Sequence, residues 1–393
     1  MENGSWIFDF DNHYYESPDA FTRHADRSLG YRGVRWADID GKRRLLVGGR
    51  VNSYIANPLF DPVARPGALF DWYRGNPRQQ GIREAFGELE PLRPEYQDHE
   101  QRLKVMDEQG LVGTVMFPTI GVGMEEALKD DPEAAAKVFE SFNRWLDEDW
   151  GYQYEGRIFA APYLALLDPV AAVTELQRVL DAGAKVVNVR NGPVPRPGGW
   201  CSPFEPAYDA FWDLAQDSGV VVAAHAGVDG YDLNLQMWER SGAESSLFRT
   251  PLRGAITKGR AVTDFFLAAL CQLLFERFPR LRIASVENGA GWVPDMLHRI
   301  DDAANRNPGY FAEHPRDVFG EHVWITPFWE DDVPALMNDV RVDRLLLGSD
   351  WPHAEGVRQP ADFVTESLVG IDDAAVRRIG RENALDLLGV TYD

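Results

Sequence analysis

Short apolar runs alternate along most of the chain with longer stretches of helical spacing. The first run opens IFDFDNHYYE, where Ile7, Phe8 and Phe10 give way to Asp11, His13 and Glu16. Further runs are TVMFPTIG (Thr114–Gly121), RIFAAPYLALL (Arg157–Leu167), AKVVNVR (Ala184–Arg190) and VVVAAHAG (Val220–Gly227). LRIASVENGAG (Leu281–Gly291), HVWITPFWE (His322–Glu330) and RLLLGSDWPHAEG (Arg344–Gly356) complete the set. Between them, helical spacing covers residues 131–153, 169–183, 203–219, 264–279, 293–305 and 372–389. Pro169 at the start and Gly183 at the end of one of these are helix boundary signals. Continuous apolar runs suit strands covered by helices on both faces of a parallel sheet.

Eight such strands predict an α/β fold, a (β/α)8 TIM barrel in a single domain over residues 1–393. A doubly wound open sheet is the competitor. It would carry a glycine-rich turn after its first strand, and DNHYYE is not one. The rhythm is interrupted twice. Residues 17–109 form an insertion after strand 1, a candidate lid, with a hairpin turning at Asp40-Gly41 and a helix near residues 101–110. Residues 228–263 form a second insertion after strand 5.

In a barrel, chemistry sits at the C-terminal ends of the strands. Strand 1 contributes Asp11, His13 and Glu16; strand 2, Pro118 and Thr119; strand 4, Asn188, Arg190 and Asn191. Strand 5 contributes His225, strand 6 Glu287 and Asn288, strand 7 Thr326, Phe328 and Trp329, and strand 8 Ser349, Asp350 and His353. Asp11 and His13 are two apart, so they share one side of an extended strand. Singly, each residue has a structural reading: a polar strand end, a buried histidine, a helix cap. Jointly, imidazoles and carboxylates on four strand ends predict a metal site.

Composition narrows the partners. A net charge of −22 in 393 residues argues against nucleic acid or an anionic membrane surface. No apolar stretch is long enough to span a membrane. The start of the chain lacks the pattern of a signal peptide, and two cysteines make no disulfide framework, so a cytoplasmic location is expected. Against this acidity, Arg249, Arg253, Lys258 and Arg260 are grouped with no acid between them, as are Lys42, Arg43 and Arg44. Either group suits phosphates or a solvated face. Tyr14, Tyr15, Phe328, Trp329 and Trp351 flank the ligand candidates, as pocket lining or as barrel packing.

DxH after strand 1, His after strand 5, GSDWPHAEG after strand 8 and the closing GRENALDLLG resemble the amidohydrolase superfamily. The likeness is to its amidohydrolase-2 group, which includes aminocarboxymuconate-semialdehyde decarboxylase. The chain departs from that group at Asp11, where a first His is usual, and at Glu287, where a strand-6 His is usual. No Lys ends strand 4; Lys185 begins it. Carboxylate-rich donor sets favour iron or manganese over zinc. In that respect the chain resembles the TIM-barrel non-heme diiron monooxygenases of platensimycin- and platencin-type diterpenoid biosynthesis, an antibiotic secondary metabolism.

That resemblance implies two Fe ions on Asp11, His13, His225, Glu287 and Asp350, with Asp350, His353 and Glu16 as catalytic or orienting groups. It implies hydroxylation of a hydrophobic substrate carried as a CoA thioester, with Arg249, Arg253, Lys258 and Arg260 on its phosphates. It also implies an electron donor or reductase partner. The broader likeness implies one Zn or Mn and a hydrolase or non-oxidative decarboxylase of a small carboxylic acid. A homodimer is expected by analogy with the group.

Overall fold

A computed structural model describes residues 6–196, 198–238 and 250–392. Seven parallel strands carry the barrel: β1 (Ile7–Tyr14), β2 (Leu111–Pro118), β3 (Ile158–Ala160), β4 (Val186–Arg190), β5 (Val221–His225), β6 (Arg282–Val286) and β7 (Val323–Ile325). They form two sheets, in the orders β1-β2-β3 and β7-β6-β5-β4. Isolated parallel bridges close the ring at Tyr163–Asn188, Ile325–Leu345 and Asn12–Trp351. The eighth position is an extended segment rather than a laddered strand. Leu346 N–H donates to Ile325 at 2.9 Å, and Phe10 N–H donates to Leu347 at 2.8 Å, so the segment is bonded on both sides.

The interior is filled by Phe8, Phe10, Phe117, Phe159, Val186 and Val286, all essentially inaccessible to solvent. Leu387 and Leu388, on the helix Asn383–Leu388, pack into the same cluster. Arg282, at the start of β6, donates to the Leu387 carbonyl, which places that helix under the N-terminal ends of the strands. A larger apolar layer lies between strands and surrounding helices.

Local signals account for the helix starts. Asp131 and Asp168 cap the helices Pro132–Asp149 and Pro169–Asp181, each with Pro in the first turn. Two predicted helices are interrupted. The stretch expected over 264–279 is a helix Arg260–Cys271 and a turn Leu274–Arg277, broken where Leu273 adopts φ +57°. The closing stretch opens into a π turn at Arg378–Glu382.

The hairpin pairs Val34–Ile39 with Lys42–Val47, and Asp40 and Gly41 take φ +50° and +72° at its turn. Parts of residues 17–98 lie against the mouth. Phe60 packs on Tyr15 with centroids 4.5 Å apart, Phe70 stacks on Trp329 at 4.0 Å, and Gly67 N–H donates to the His353 carbonyl at 3.1 Å. Residues 99–109 are a regular helix, His99–Gln109, feeding β2, close to the helix expected near residues 101–110. The second insertion contains helices Asp232–Gln236 and Pro251–Thr257; Arg249 lies outside the described residues.

Candidate metal centre

β1 brings Asp11 and His13 to the mouth by an irregularity the alternation does not reveal. Between Asp9 and Asn12 the strand advances three residues while β2 advances two, from Thr114 to Met116. The extra residue changes which side faces inward. Phe8 and Phe10 point into the barrel, and His13 then also points in, beside Phe117 at 6.3 Å between ring centroids. The eighth segment approaches closely here: a Cβ on Gly348 would stand 2.7 Å from Asp11 Cβ. Glycine is the residue that permits this contact.

The predicted ligands converge. His13 Nε2 lies 3.4 Å from Asp11 Oδ1, 3.4 Å from Asp350 Oδ1 and 3.8 Å from Glu287 Oε2. His225 Nε2 lies 3.6 Å from Asp11 Oδ1 and 3.3 Å from Glu287 Oε2. Three overlapping donor groups result: Asp11, His13 and His225; His13, Asp350 and His353; Glu287, Asp350, His353 and Glu355. Within each, the ligand atoms lie within 4.8 Å of one another. Glu287 and Asp350 both adopt left-handed backbone, φ +55° and +54°, at the strand exits that aim them inward. Such conformations in non-glycine residues gather at functional sites.

The donor chemistry fits a divalent cation. Asp11 Oδ1, His13 Nε2 and His225 Nε2 are buried and have no hydrogen-bond partner among the described residues. His225 Nδ1 lies 2.7 Å from the Ala226 carbonyl, which fixes the proton there and turns the Nε2 lone pair into the cluster. Burial lifts the Glu287 and Asp350 carboxyls well above the usual range, and neighbouring carboxylates lift them further. Burial also pushes the His13 imidazole down to about 3, leaving it neutral and ready to ligate. For Asp11 burial acts upward, but His13 and His225 outweigh it and hold the carboxylate well below its ordinary value. Crowded carboxylates beside neutral imidazoles are balanced by a cation.

His353 is tied on both nitrogens. Thr119 gives its single hydroxyl proton to the Tyr14 carbonyl at 2.8 Å. The 2.9 Å contact between Thr119 Oγ1 and His353 Nε2 therefore needs Nε2–H as donor. The other nitrogen, Nδ1, is 2.7 Å from Asp350 Oδ1. Both partners are nearly buried, at 9% and 8% exposure.

Other expected site residues fall elsewhere. Glu16 belongs to none of the three donor groups. Its Oε1 accepts from the backbone N–H groups of Ile120 and Gly121, at 2.8 and 2.9 Å. Burial raises its carboxyl to about 7. Of the basic group of the second insertion, Arg249 lies outside the described residues. Arg260 is engaged with Asp264 at 2.9 Å, Arg253 lies on the helix Pro251–Thr257, and Lys258 follows it. Lys42 and Arg43 are exposed at the hairpin turn. Of the aromatics, Tyr14 stacks on Trp150 at 5.4 Å and Trp351 meets Tyr96 edge-on at 5.5 Å, as packing. Glu355 had escaped notice because it lies beyond the strand end, in the loop after His353.

The family model described as Amidohydrolase matches residues 16–390. The chain belongs to this family. The match starts after Asp11 and His13, so the strand that supplies two of the donors lies outside it. A solved amidohydrolase from Mycobacterium avium subsp. paratuberculosis K-10 is 40% identical, with TM-score 0.93, covering 100% of this chain and 99% of its own. The 2,6-dihydroxybenzoate decarboxylase from Rhizobium is 23% identical with TM-score 0.58, over 84% of this chain and 97% of its own. A dihydroxybenzoic acid decarboxylase from Polaromonas sp. JS666, solved with manganese and the inhibitor 2-nitroresorcinol, is 21% identical with TM-score 0.59, over 82% and 93%. The two decarboxylases share the fold. No curated protein matches the chain. Among the described residues no helix is long and apolar enough to cross a membrane.

Proposed function

We propose that the protein is a divalent-metal-dependent enzyme that decarboxylates, without oxidation, a small carboxylic acid, with hydrolysis as the neighbouring chemistry of the same site. The carrying observation is the 2.7 Å contact between His353 Nδ1 and Asp350 Oδ1, beside the donor cluster. Non-oxidative decarboxylation breaks a C–C bond, releases CO2 and leaves an electron pair on carbon that must take a proton. A cation held by Asp11, His13, His225 and Asp350 or Glu287 supplies Lewis-acid polarisation of a bound carboxylate. The His353–Asp350 pair supplies the proton, and Thr119 holds the ring so that only Nδ1 exchanges it. The covering residues 17–98 limit the entry of water. Similarity to the manganese-bound decarboxylase supports manganese as the first ion to try and a hydroxybenzoate as the first substrate.

The test is metal analysis of the purified protein together with CO2 release from 2,6-dihydroxybenzoate and related acids. One zinc or manganese per chain, with CO2 release lost on chelation, is expected. CO2 release unaffected by chelation overturns the reading.

A second reading, a two-iron monooxygenase acting on a hydrophobic CoA-linked substrate with a reductase partner, is favoured by one observation. The donors divide into an imidazole-rich group around Asp11 and a carboxylate-rich group of Glu287, Asp350, His353 and Glu355, enough for two ions. Close to two irons per chain and substrate-dependent O2 uptake after reduction would select it.

A further inference from the structure

Next to the metal donors, β4 presents polar groups that the reaction described above does not use. Arg190 stands in register with His225 on β5, and Asn188 stands in register with Ala223. Val186 on the same strand packs in the barrel interior, so Asn188 and Arg190, at two-residue steps above it, face the same way. Both are buried, at 0% and 5% exposure. Asn188 Oδ1 and Nδ2 have no hydrogen-bond partner among the described residues, nor do Arg190 Nε and Nη1. Buried groups of this kind are ordinarily paired, and an unpaired one costs about 1–3 kcal/mol.

Arg190 is held at one corner of its guanidinium. Its Nη2 donates to Glu126 Oε2 at 2.8 Å, but Glu126 Oε1 is shared with Lys129 at 2.7 Å. Glu125, the other nearby acid, is fully buried, accepts from Tyr163 OH at 2.8 Å, and burial raises its carboxyl. Asp229, in the second insertion, accepts from Tyr231 N–H. Trp200 lies over the guanidinium at 5.2 Å. Gly230 seals the pair: a Cβ there would stand 2.5 Å from Arg190 Nη2 and 2.7 Å from Trp200.

We infer that Arg190 and Asn188 form the subsite that binds a carboxylate of the substrate. The inference rests on the proposed action on carboxylic acids and names the residues that select them. With Nη2 on Glu126, the remaining Nε and Nη1 donors lie on different edges of the guanidinium, and a carboxylate oxygen takes one of them. The Asn188 amide adds a donor below. The in-register neighbour His225 places the bound acid against the metal donors.

The probes are benzoate and its neutral isostere benzamide, titrated calorimetrically into the full chain loaded with Mn2+. Wild type should bind benzoate at least about tenfold more tightly than benzamide, a difference of about 1.4 kcal/mol. Arg190→Gln should erase that preference with manganese content unchanged, and Arg190→Lys should retain part of it. Asn188→Leu, which leaves the Arg190–Glu126 pair in place, should narrow the preference and serves if Arg190→Gln fails to fold. Equal binding of the two probes by wild type, or an undiminished preference in Arg190→Gln or Asn188→Leu, overturns the inference. Because the readout is binding, it is separate from CO2 release: an anion preference that depends on Arg190, in a protein that decarboxylates nothing, would fail the proposed function and leave this subsite standing.

Discussion

Arg102 Nη2 donates to the backbone carbonyl of His13 at 2.9 Å, from a side chain that is fully buried. The same guanidinium holds Asn12 Oδ1 and the Glu95 carbonyl, and it lies 4.6 Å from the Trp351 ring. Asn12 in turn donates to Asp9, and Asp9 accepts from Ser349 on the eighth segment. One cation therefore fixes the irregular stretch of β1 against the segment that carries Asp350 and His353. Replacing Arg102 with Met keeps the apolar contact and removes these hydrogen bonds. Metal affinity should fall roughly 10–100-fold, the usual effect of losing a group that orients ligands. Chelator competition on the purified variant measures it; an unchanged affinity would show that the strand holds its shape without Arg102.

Glu16 and Glu287 should separate cleanly. Glu16 spends one oxygen on two backbone N–H groups at the start of the loop after β2, whereas Glu287 Oε2 faces both His13 and His225. Glu16→Gln should keep its full metal content and lose about 1 kcal/mol of stability, since a neutral amide replaces a charged acceptor. Glu287→Ala should lose at least one ion. Metal analysis and urea melts of the two variants decide it, and metal loss in Glu16→Gln would return that residue to the ligand set.

Much of the site was readable because ligands at strand ends obey the barrel's geometry. Asp11, His13, His225, Glu287 and Asp350 each follow an apolar run, and the structure brings all five together. What was hidden depends on pairing rather than pattern. The extra residue between Asp9 and Asn12 leaves no mark in the alternation, although it decides which side chains turn inward. Arg102 sits in a helix with Glu100 and Lys104, where a charged residue reads as solvent-facing, and only tertiary packing buries it. Thr119 and Arg190 were visible as polar strand ends, but their tasks depend on atoms of β1 and of the Glu126 helix. In the basic run of the second insertion, Arg260 takes an i,i+4 pairing with Asp264 that the run alone does not announce.

Thr119→Val tests the proton relay. The valine preserves volume and branching but offers no acceptor to His353 Nε2–H and no donor to the Tyr14 carbonyl. His353 is then free to rotate or to change tautomer, and its Nδ1 is no longer held on Asp350 Oδ1. Turnover should fall on the order of 100-fold, within the range that general acid–base catalysis contributes. KM for the carboxylic acid and the metal content should stay close to wild type. A fall in metal content instead would mean that Thr119 supports the ligands and not the proton.

Glu125 gives a pH dependence whose sign can be worked out. The carboxyl is fully buried, and burial raises its pKa above the ordinary 4.5, against the opposing pull of Arg190 and the Tyr163 hydroxyl. The folded chain therefore holds this proton to higher pH than the unfolded chain does. The group's favourable contribution is complete below about pH 4.5 and is lost as pH rises through the raised folded value. Glu125→Gln keeps an acceptor for Tyr163 OH, which donates at 2.8 Å, and cannot ionise. Urea melts of both proteins from pH 4.5 to pH 8 should show the variant gaining on wild type as pH rises and then holding a constant lead. A difference that stays flat across the range would mean that Glu125 is ionised throughout, paired with Arg190.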